Sequence, residues 1–445
     1  MTARPIVQPP RPWAFPETVE QRLANGVVAE VIPLPGQKVV STRLIVPVPA
    51  AAEPRAQEGV GTIVSRTMDE GTAARSAEEM AELLERNGIA LSGGMTARGL
   101  VMDLEATGGH LDTAWELTRE FISEPAFDST EVNRHVRQRI AEAEHELADA
   151  GARAAVEWVR RFYTSSSRAS RPLGGSPETI GTIDAEACRA FHSAYIRPEG
   201  ARVVVAGDVD AADVFERLDR TIGRWDESAS AATPVEVNEA LSPDRGGVTF
   251  VHRPGSVQTE IQLGWQGPSR RVDGGWAPYP VLSFVLGGAP TARIDKVLRE
   301  EKGYTYGMRG GFRPRVRDGV FSVSGSVRGE VTAPALELLL EILRDADGGF
   351  GADEVRGGVD FLAKTAPGRF ATADAVADEV AMLRMDGLGP QWVTDYLADL
   401  QQVTPERASE AWRRYSGQQP CIVLVGDAEA YADAVRALGL TVDLR

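Results

Sequence analysis

Short apolar runs of strand length alternate with stretches whose apolar positions recur every three or four residues, and the order appears twice along the chain. Val27 to Pro33 and Val39 to Val48 are β-branched runs set off by the turn-forming dipeptides Asn25-Gly26 and Pro35-Gly36. Thr62 to Met68 begins a helical stretch. Ser76 followed by Glu79 predicts a capping box, and Asn87-Gly88 predicts where that second helix ends. Residues 89–107 read as two strands around Gly93-Gly94, and His110 to Ser123 and Thr130 to Ala150 as long amphipathic helices. Residues 155–195 read as helical with a Gly/Ser/Pro break. Arg202 to Ala206 is an apolar strand ending in Gly207-Asp208, and a helix then runs toward Trp225. The Pro-rich residues 1–20 predict an extended arm over the surface.

Residues 226–245 are polar and aperiodic and read as a linker. After it the pattern restarts. Thr259 to Trp265 echoes Thr42 to Val48, Thr332 to Ala346 echoes His110 to Ser123, and the run after Phe350 echoes the run after Phe127. The segment Cys421-Ile-Val-Leu-Val-Gly-Asp echoes Val203-Val-Val-Ala-Gly-Asp. A duplication at half the chain length predicts an α+β protein of two similar domains, residues 1–225 and 246–445. Each is expected to be a mainly antiparallel sheet with helices on one face.

Composition narrows the classes. Hydrophobic content of 43% and charged content of 25% are ordinary for a globular protein. The net charge of -16 disfavours nucleic acid as a partner while leaving cationic or unfolded peptides acceptable. No run reaches the ~18 apolar residues that span a bilayer, and the N-terminus lacks a secretory core, so no membrane contact and a cytoplasmic location are expected. Cys188 and Cys421 lie in or beside apolar segments and read as buried, reduced thiols.

Two stretches carry the chemistry. One runs Glu58-Gly59-Val60-Gly61-Thr62-Ile63-Val64-Ser65-Arg66-Thr67-Met68-Asp69-Glu70-Gly71-Thr72; the other is Leu298-Arg299-Glu300-Glu301-Lys302-Gly303-Tyr304-Thr305-Tyr306-Gly307. Both resemble the pitrilysin (insulinase) family of zinc peptidases, a resemblance extending from Leu23 to Asp427. In that family H-x-x-E-H on one helix supplies two zinc ligands and a general base. Aligned on Gly59 and Gly71-Thr72, the three positions are Thr62, Ser65 and Arg66. A hydroxyl is a poor neutral ligand, and a guanidinium repels Zn²⁺. The family's third ligand, a glutamate on a later helix, would correspond to Glu142, Glu144 or Glu146; a lone carboxylate cannot hold catalytic zinc, and read from the residues these three form a solvated helix face. His110, His135, His145, His192 and His252 are scattered, with no pair at i, i+4. His145, flanked by Glu144 and Glu146, reads as a surface residue, and no metal is expected in this chain.

The second stretch resembles the family's substrate-gripping arginine and tyrosine, seven positions apart, as Arg299 and Tyr306 are here. Arg299 is expected near the end of a helix from Ala292 to Glu301, with Gly303 as the left-handed stop and Tyr304 to Tyr306 opening a strand. Tyr304 competes for the role at a spacing of five. Read from the residues alone, Arg299 would pair with Glu300 or Glu301, and Tyr306 would fill core. The lead-in Leu286-Gly-Gly-Ala-Pro-Thr-Ala-Arg-Ile-Asp295 resembles the family's as well. Its pair Gly287-Gly288, shorter than the glycine loop of the mitochondrial processing peptidase α-subunit, is the candidate binding element. The resemblance implies half of a clamshell: a non-catalytic subunit of a heterodimeric zinc peptidase. Arg299 and Tyr306 would then meet unfolded peptide bound by strand addition, in trans to zinc in a homologous partner. It also admits a catalytically inactive structural scaffold, like the core subunits of respiratory cytochrome complexes.

Overall fold

The computed structural model describes residues 8, 13–226, 235–315 and 317–445. Most of the expected N-terminal arm and residues 227–234 of the expected linker lie outside the described residues. From Trp13 to Thr18 the chain is irregular, as an arm requires, and Trp13 stacks on Phe370 at 5.5 Å.

The strands are β1 (Val19–Arg22), β2 (Val28–Pro33), β3 (Val39–Val46), β4 (Ala90–Met95), β5 (Leu100–Thr107), β6 (Arg202–Gly207), β7 (Gly247–His252), β8 (Gln258–Gly267), β9 (Arg309–Pro314), β10 (Gly319–Arg328), β11 (Cys421–Gly426) and β12 (Val442–Leu444). They form two six-stranded sheets, ordered β1-β2-β6-β3-β5-β4 and β12-β7-β11-β8-β10-β9. From the second strand onward the two orders match position by position. The echoed segments stand at equivalent places: β3 with β8, and β6 with β11. Pairing is antiparallel except for β2–β6, β7–β11 and β7–β12.

Local chemistry fixes several boundaries as expected. Ser76 and Glu79 complete the capping box of the helix Ala77–Asn87, and Gly88 ends it in the left-handed region. The two strands within residues 89–107 differ in one respect: Gly93 and Gly94 lie inside β4, and the reversal falls at Thr96 to Gly99. There Thr96 Oγ1 accepts the amides of Arg98 and Gly99. The helix predicted from Thr130 to Ala150 is two helices, Ser129–Ala148 and Ala150–Phe162, because Asp149 leaves helical geometry and caps the second through Ala152 N–H.

The main cores lie between each sheet and its own helices, with Trp115 and Phe121 in the first and Tyr279, Phe321 and Trp412 in the second. The opposite sheet faces are partly covered by an exchange. The helix Ala150–Phe162 of the first half packs Ala154, Trp158 and Phe162 on Val251, Val320, Cys421 and Val423 of the second sheet. The helix Ala373–Met385 of the second half packs Val376, Ala377 and Val380 on Ile32, Ile45, Val204 and Ala206 of the first. This explains why Val203 to Ala206 is an unbroken apolar run: alternate residues are buried on opposite faces. Polar contacts reinforce both seams. Arg384 Nε and Nη2 donate to the Glu30 carboxylate at 2.8 and 2.7 Å, and Trp158 Nε1 donates to Cys421 O at 3.1 Å. Burial pushes the thiols of Cys188 and Cys421 up to about 12, as inert core groups.

Candidate functional site

Gly59 enters the first site at φ 101°, where a Cβ would stand 2.7 Å from Gly174 O, and the helix Val60–Thr67 follows. Thr62 and Arg66, four apart, share a half-exposed side of this helix, while Ser65 is buried and donates to Thr62 O at 2.9 Å. Arg66 Nη1 reaches Glu142 on the helix Ser129–Ala148, 3.0 Å from Oε1 and 2.9 Å from Oε2. Arg139 continues the ladder, donating to Glu142 at 3.2 Å and through both terminal nitrogens to Glu146 at 2.8 and 2.9 Å. Of the three candidate glutamates, Glu142 is the one brought to the helix carrying Thr62, Ser65 and Arg66.

The donor set does not fit zinc. Thr62, Ser65 and Arg66 offer two hydroxyls and a guanidinium, and the Arg66 cation occupies the one nearby carboxylate, Glu142. Burial disfavours the charge on Glu142, but hydrogen bonds from Arg66 and Arg139 outweigh it and hold its carboxyl below the usual range. His145 is exposed, as expected. Among the described residues no three His, Cys, Asp or Glu side chains gather as a metal cluster.

The support beneath this helix was not legible in the sequence. Glu53 is buried and accepts Gly61 N–H at 3.0 Å and Arg168 Nη2 at 2.8 Å. Arg171 forks onto Glu58. Together they fasten residues 165–176 to the helix start. A run of arginines in a chain rich in arginine gave no signal.

The second site differs from expectation in its backbone. One α-turn, Arg293–Asp295, widens into a π-helix, Lys296–Glu301. π-Turns concentrate at functional sites. Gly303 takes the expected left-handed conformation at φ 63°, and Tyr304 N–H closes onto Leu298 O at 2.8 Å. The strand does not begin at Tyr304. It begins at Arg309, because Thr305 Oγ1 donates to Ser326 O and accepts Gly307 N–H, which holds the intervening residues off the β10 ladder. Tyr304 packs partly against the core. Tyr306 stands at the loop apex with 92% of its surface exposed, so it does not fill core. Arg299 is 43% exposed and lies 3.5 Å from Glu300. No hydrogen bond joins Arg299 to Tyr306 among the described residues.

Gly287 is buried, and its carbonyl accepts Gly310 N–H at 3.3 Å; a Cβ there would lie 2.5 Å from that nitrogen. Gly288 is exposed. Gly287 therefore serves close backbone contact with the outer edge of β9. The same edge is closed along its length. Met308 N–H donates to Asp295 at 2.8 Å, Phe312 N–H donates to Ser283 Oγ at 2.9 Å, and Pro314 has no N–H. The equivalent strand of the first sheet, β4, is open. Among the described residues the corresponding amides of Leu91, Gly93 and Met95 donate to no group in the chain. Beside β4 lies an open cleft lined by Asp103, Glu105, Asp374 and Asp378 around the buried Arg43, which pairs with the three aspartates and leaves the cleft acidic on balance.

Residues 30–168 match the family described as Insulinase (Peptidase family M16), and residues 182–360 match the Peptidase M16 inactive domain. Among relatives, an uncharacterized zinc protease of Rickettsia bellii is 24% identical over 336 residues, 73% of this chain and 77% of that protein. One of Streptomyces coelicolor is 24% identical over 265 residues, 58% of this chain and 56% of its own. Among solved structures, a peptidase M16 inactive domain from Pseudomonas fluorescens superposes with a TM-score of 0.84 at 20% identity, covering 92% of this chain and 98% of its own. A protease from Helicobacter pylori gives 0.85 at 17% identity, covering 93% and 100%. At these identities the superpositions speak to the fold.

Proposed function

The chain belongs to the M16 (insulinase) family of peptidases, and from that membership we propose that it is a non-catalytic subunit of a heterodimeric zinc metallopeptidase. Its homologous partner carries the zinc motif, and this chain binds and orients unfolded peptide. Arg299 and Tyr306 supply donors in trans: the guanidinium to substrate carbonyls, the phenol to the oxyanion of the tetrahedral intermediate. The carrying observation is the contrast between the two sites. The motif helix has lost its ligand chemistry, and Arg66 is closed onto Glu142. Tyr306, in contrast, is held bare to solvent on an anchored loop. An aromatic ring that exposed has nothing in its own chain to pack on, which suits a group that acts on another molecule.

The open edge of β4 and the acidic cleft beside it favour an extended peptide with a basic side chain, bound by strand addition. The edge of β9, with its amides already satisfied, offers no such place.

The decisive experiment compares fluorogenic-peptide turnover of the chain alone, of a zinc-bearing M16 partner alone, and of the mixture. Turnover confined to the mixture is expected. Turnover and zinc in this chain alone would refute the reading, and a tight complex with no turnover would leave the scaffold role.

The degenerate site carries its own prediction. Thr62→His, Ser65→Glu and Arg66→His together free Glu142 and rebuild a two-histidine, one-glutamate donor set. We expect one zinc per chain by elemental analysis, against none for the parent. A triple variant that folds and binds no zinc would show that the helix is misaligned with the family motif.

A further inference from the structure

Asp295 is fully buried and carries a charge-bearing group with no apparent place in the core. It lies four residues before Arg299, on the α-turn that leads into the π-helix. Its Oδ1 accepts Met308 N–H at 2.8 Å, and its Oδ2 accepts Arg309 Nη1 at 2.8 Å. One carboxylate thus ties the helix carrying Arg299 to the chain just beyond Tyr306. On the near side of Tyr306, Thr305 Oγ1 is fixed to Ser326 O at 2.7 Å. Tyr306 is the unpinned residue between two pinned ones.

An uncharged acceptor would satisfy the Met308 amide without taking a charge out of water. The carboxylate does more: it also holds the guanidinium of Arg309, which is more than half exposed. We propose that Asp295 is a positioning residue, a brace that sets the separation of Arg299 and Tyr306. The brace is a property of this chain alone; its catalytic consequence rests on the role proposed above for Tyr306. A displacement of about 1 Å in such a group can cost on the order of 10²-fold in rate.

The brace is tested first on the purified full-length chain by amide hydrogen exchange. Asp295→Ala is expected to speed exchange of Met308 about tenfold or more, while the amides of β10 and β11 keep their protection. Asp295→Asn keeps an acceptor for Met308 and is expected to fall between. Arg309→Gln, an exposed change that leaves the core intact, is expected to loosen residues 304–309 by a smaller factor. Unchanged exchange in Asp295→Ala overturns the brace. So does uniform loosening of the whole second sheet, if Arg309→Gln then leaves the loop as it was.

The second arm uses the complex with a zinc-bearing partner. Asp295→Ala is expected to lower kcat more than it raises KM, and to cost much less in a Tyr306→Phe background than in the parent, because the brace acts chiefly by placing that hydroxyl relative to Arg299. Additive losses overturn the positioning role. If Tyr306→Phe alone leaves turnover intact, the proposed function fails, and the exchange result still decides the brace.

Discussion

Replacing Tyr306 by phenylalanine should lower kcat of the proposed heterodimer by about 10²–10³ while leaving the melting temperature of this chain unchanged. The two halves of that expectation have different grounds. The rate loss follows from the role proposed for Tyr306, a donor aimed at a developing oxyanion. The neutral effect on stability follows from exposure: with 92% of its surface in solvent, Tyr306 contributes no burial that phenylalanine would change. Arg299→Ala should act on the same step and also raise KM, since a guanidinium grips ground-state carbonyls as well. Its ion pair with Glu300 is too exposed to matter for folding. Steady-state kinetics and thermal melts on the same preparations test both. Turnover within twofold of the parent for both variants would end the Arg/Tyr reading and leave the scaffold in front.

Cutting the chain in the 227–234 segment should yield two halves that cannot fold alone, although each holds a complete sheet. Each half owns a helix whose apolar face belongs on the other's sheet, and each sheet has a face that only the other half can cover. Released singly, the halves should bind hydrophobic dyes and aggregate; co-expressed, they should reassemble into one soluble particle. A point test needs no cut. Trp158 is buried across the seam, stacked on Phe162 at 4.3 Å and hydrogen-bonded to Cys421 O. Trp158→Ala should cost about 3–5 kcal/mol in denaturant unfolding. It should do so in a single transition, because the seam couples the halves. Soluble, natively melting separate halves would mean that the exchanged helices add little.

How much of this was legible depended on range. The capping box at Ser76, the left-handed Gly303 and the repeated strand of β6 and β11 are local chemistry, and they read correctly from the residues. Gly93-Gly94 misled because glycines most often mark reversals, whereas here the reversal is made by Thr96, whose hydroxyl caps two following amides. Tyr304 to Tyr306 has strand composition, yet Thr305 commits its hydroxyl to Ser326 and lifts the chain from the ladder. The reading of the residues alone was right for Arg299, which does meet Glu300, and wrong for Tyr306, which leaves the core entirely. The helix exchange could not be read. Ala154, Trp158 and Phe162 announce an apolar face, but nothing local says which of two similar sheets it meets. The burial of Asp295 was equally silent, since its reason lies in the amide of Met308, thirteen residues on.

The exchanged helices also decide what can move. A hinge between the two sheets would have to peel Trp158 from one and Val376 from the other together, wetting two apolar seams and stretching the Arg384–Glu30 fork. Large-amplitude bending within the chain is therefore expensive, and the chain behaves as one stiff jaw. Larger motion must then come at a boundary with another molecule; on the role proposed above, that boundary is where a peptide would be admitted and its fragments released, and the bite would be set by how two such jaws meet.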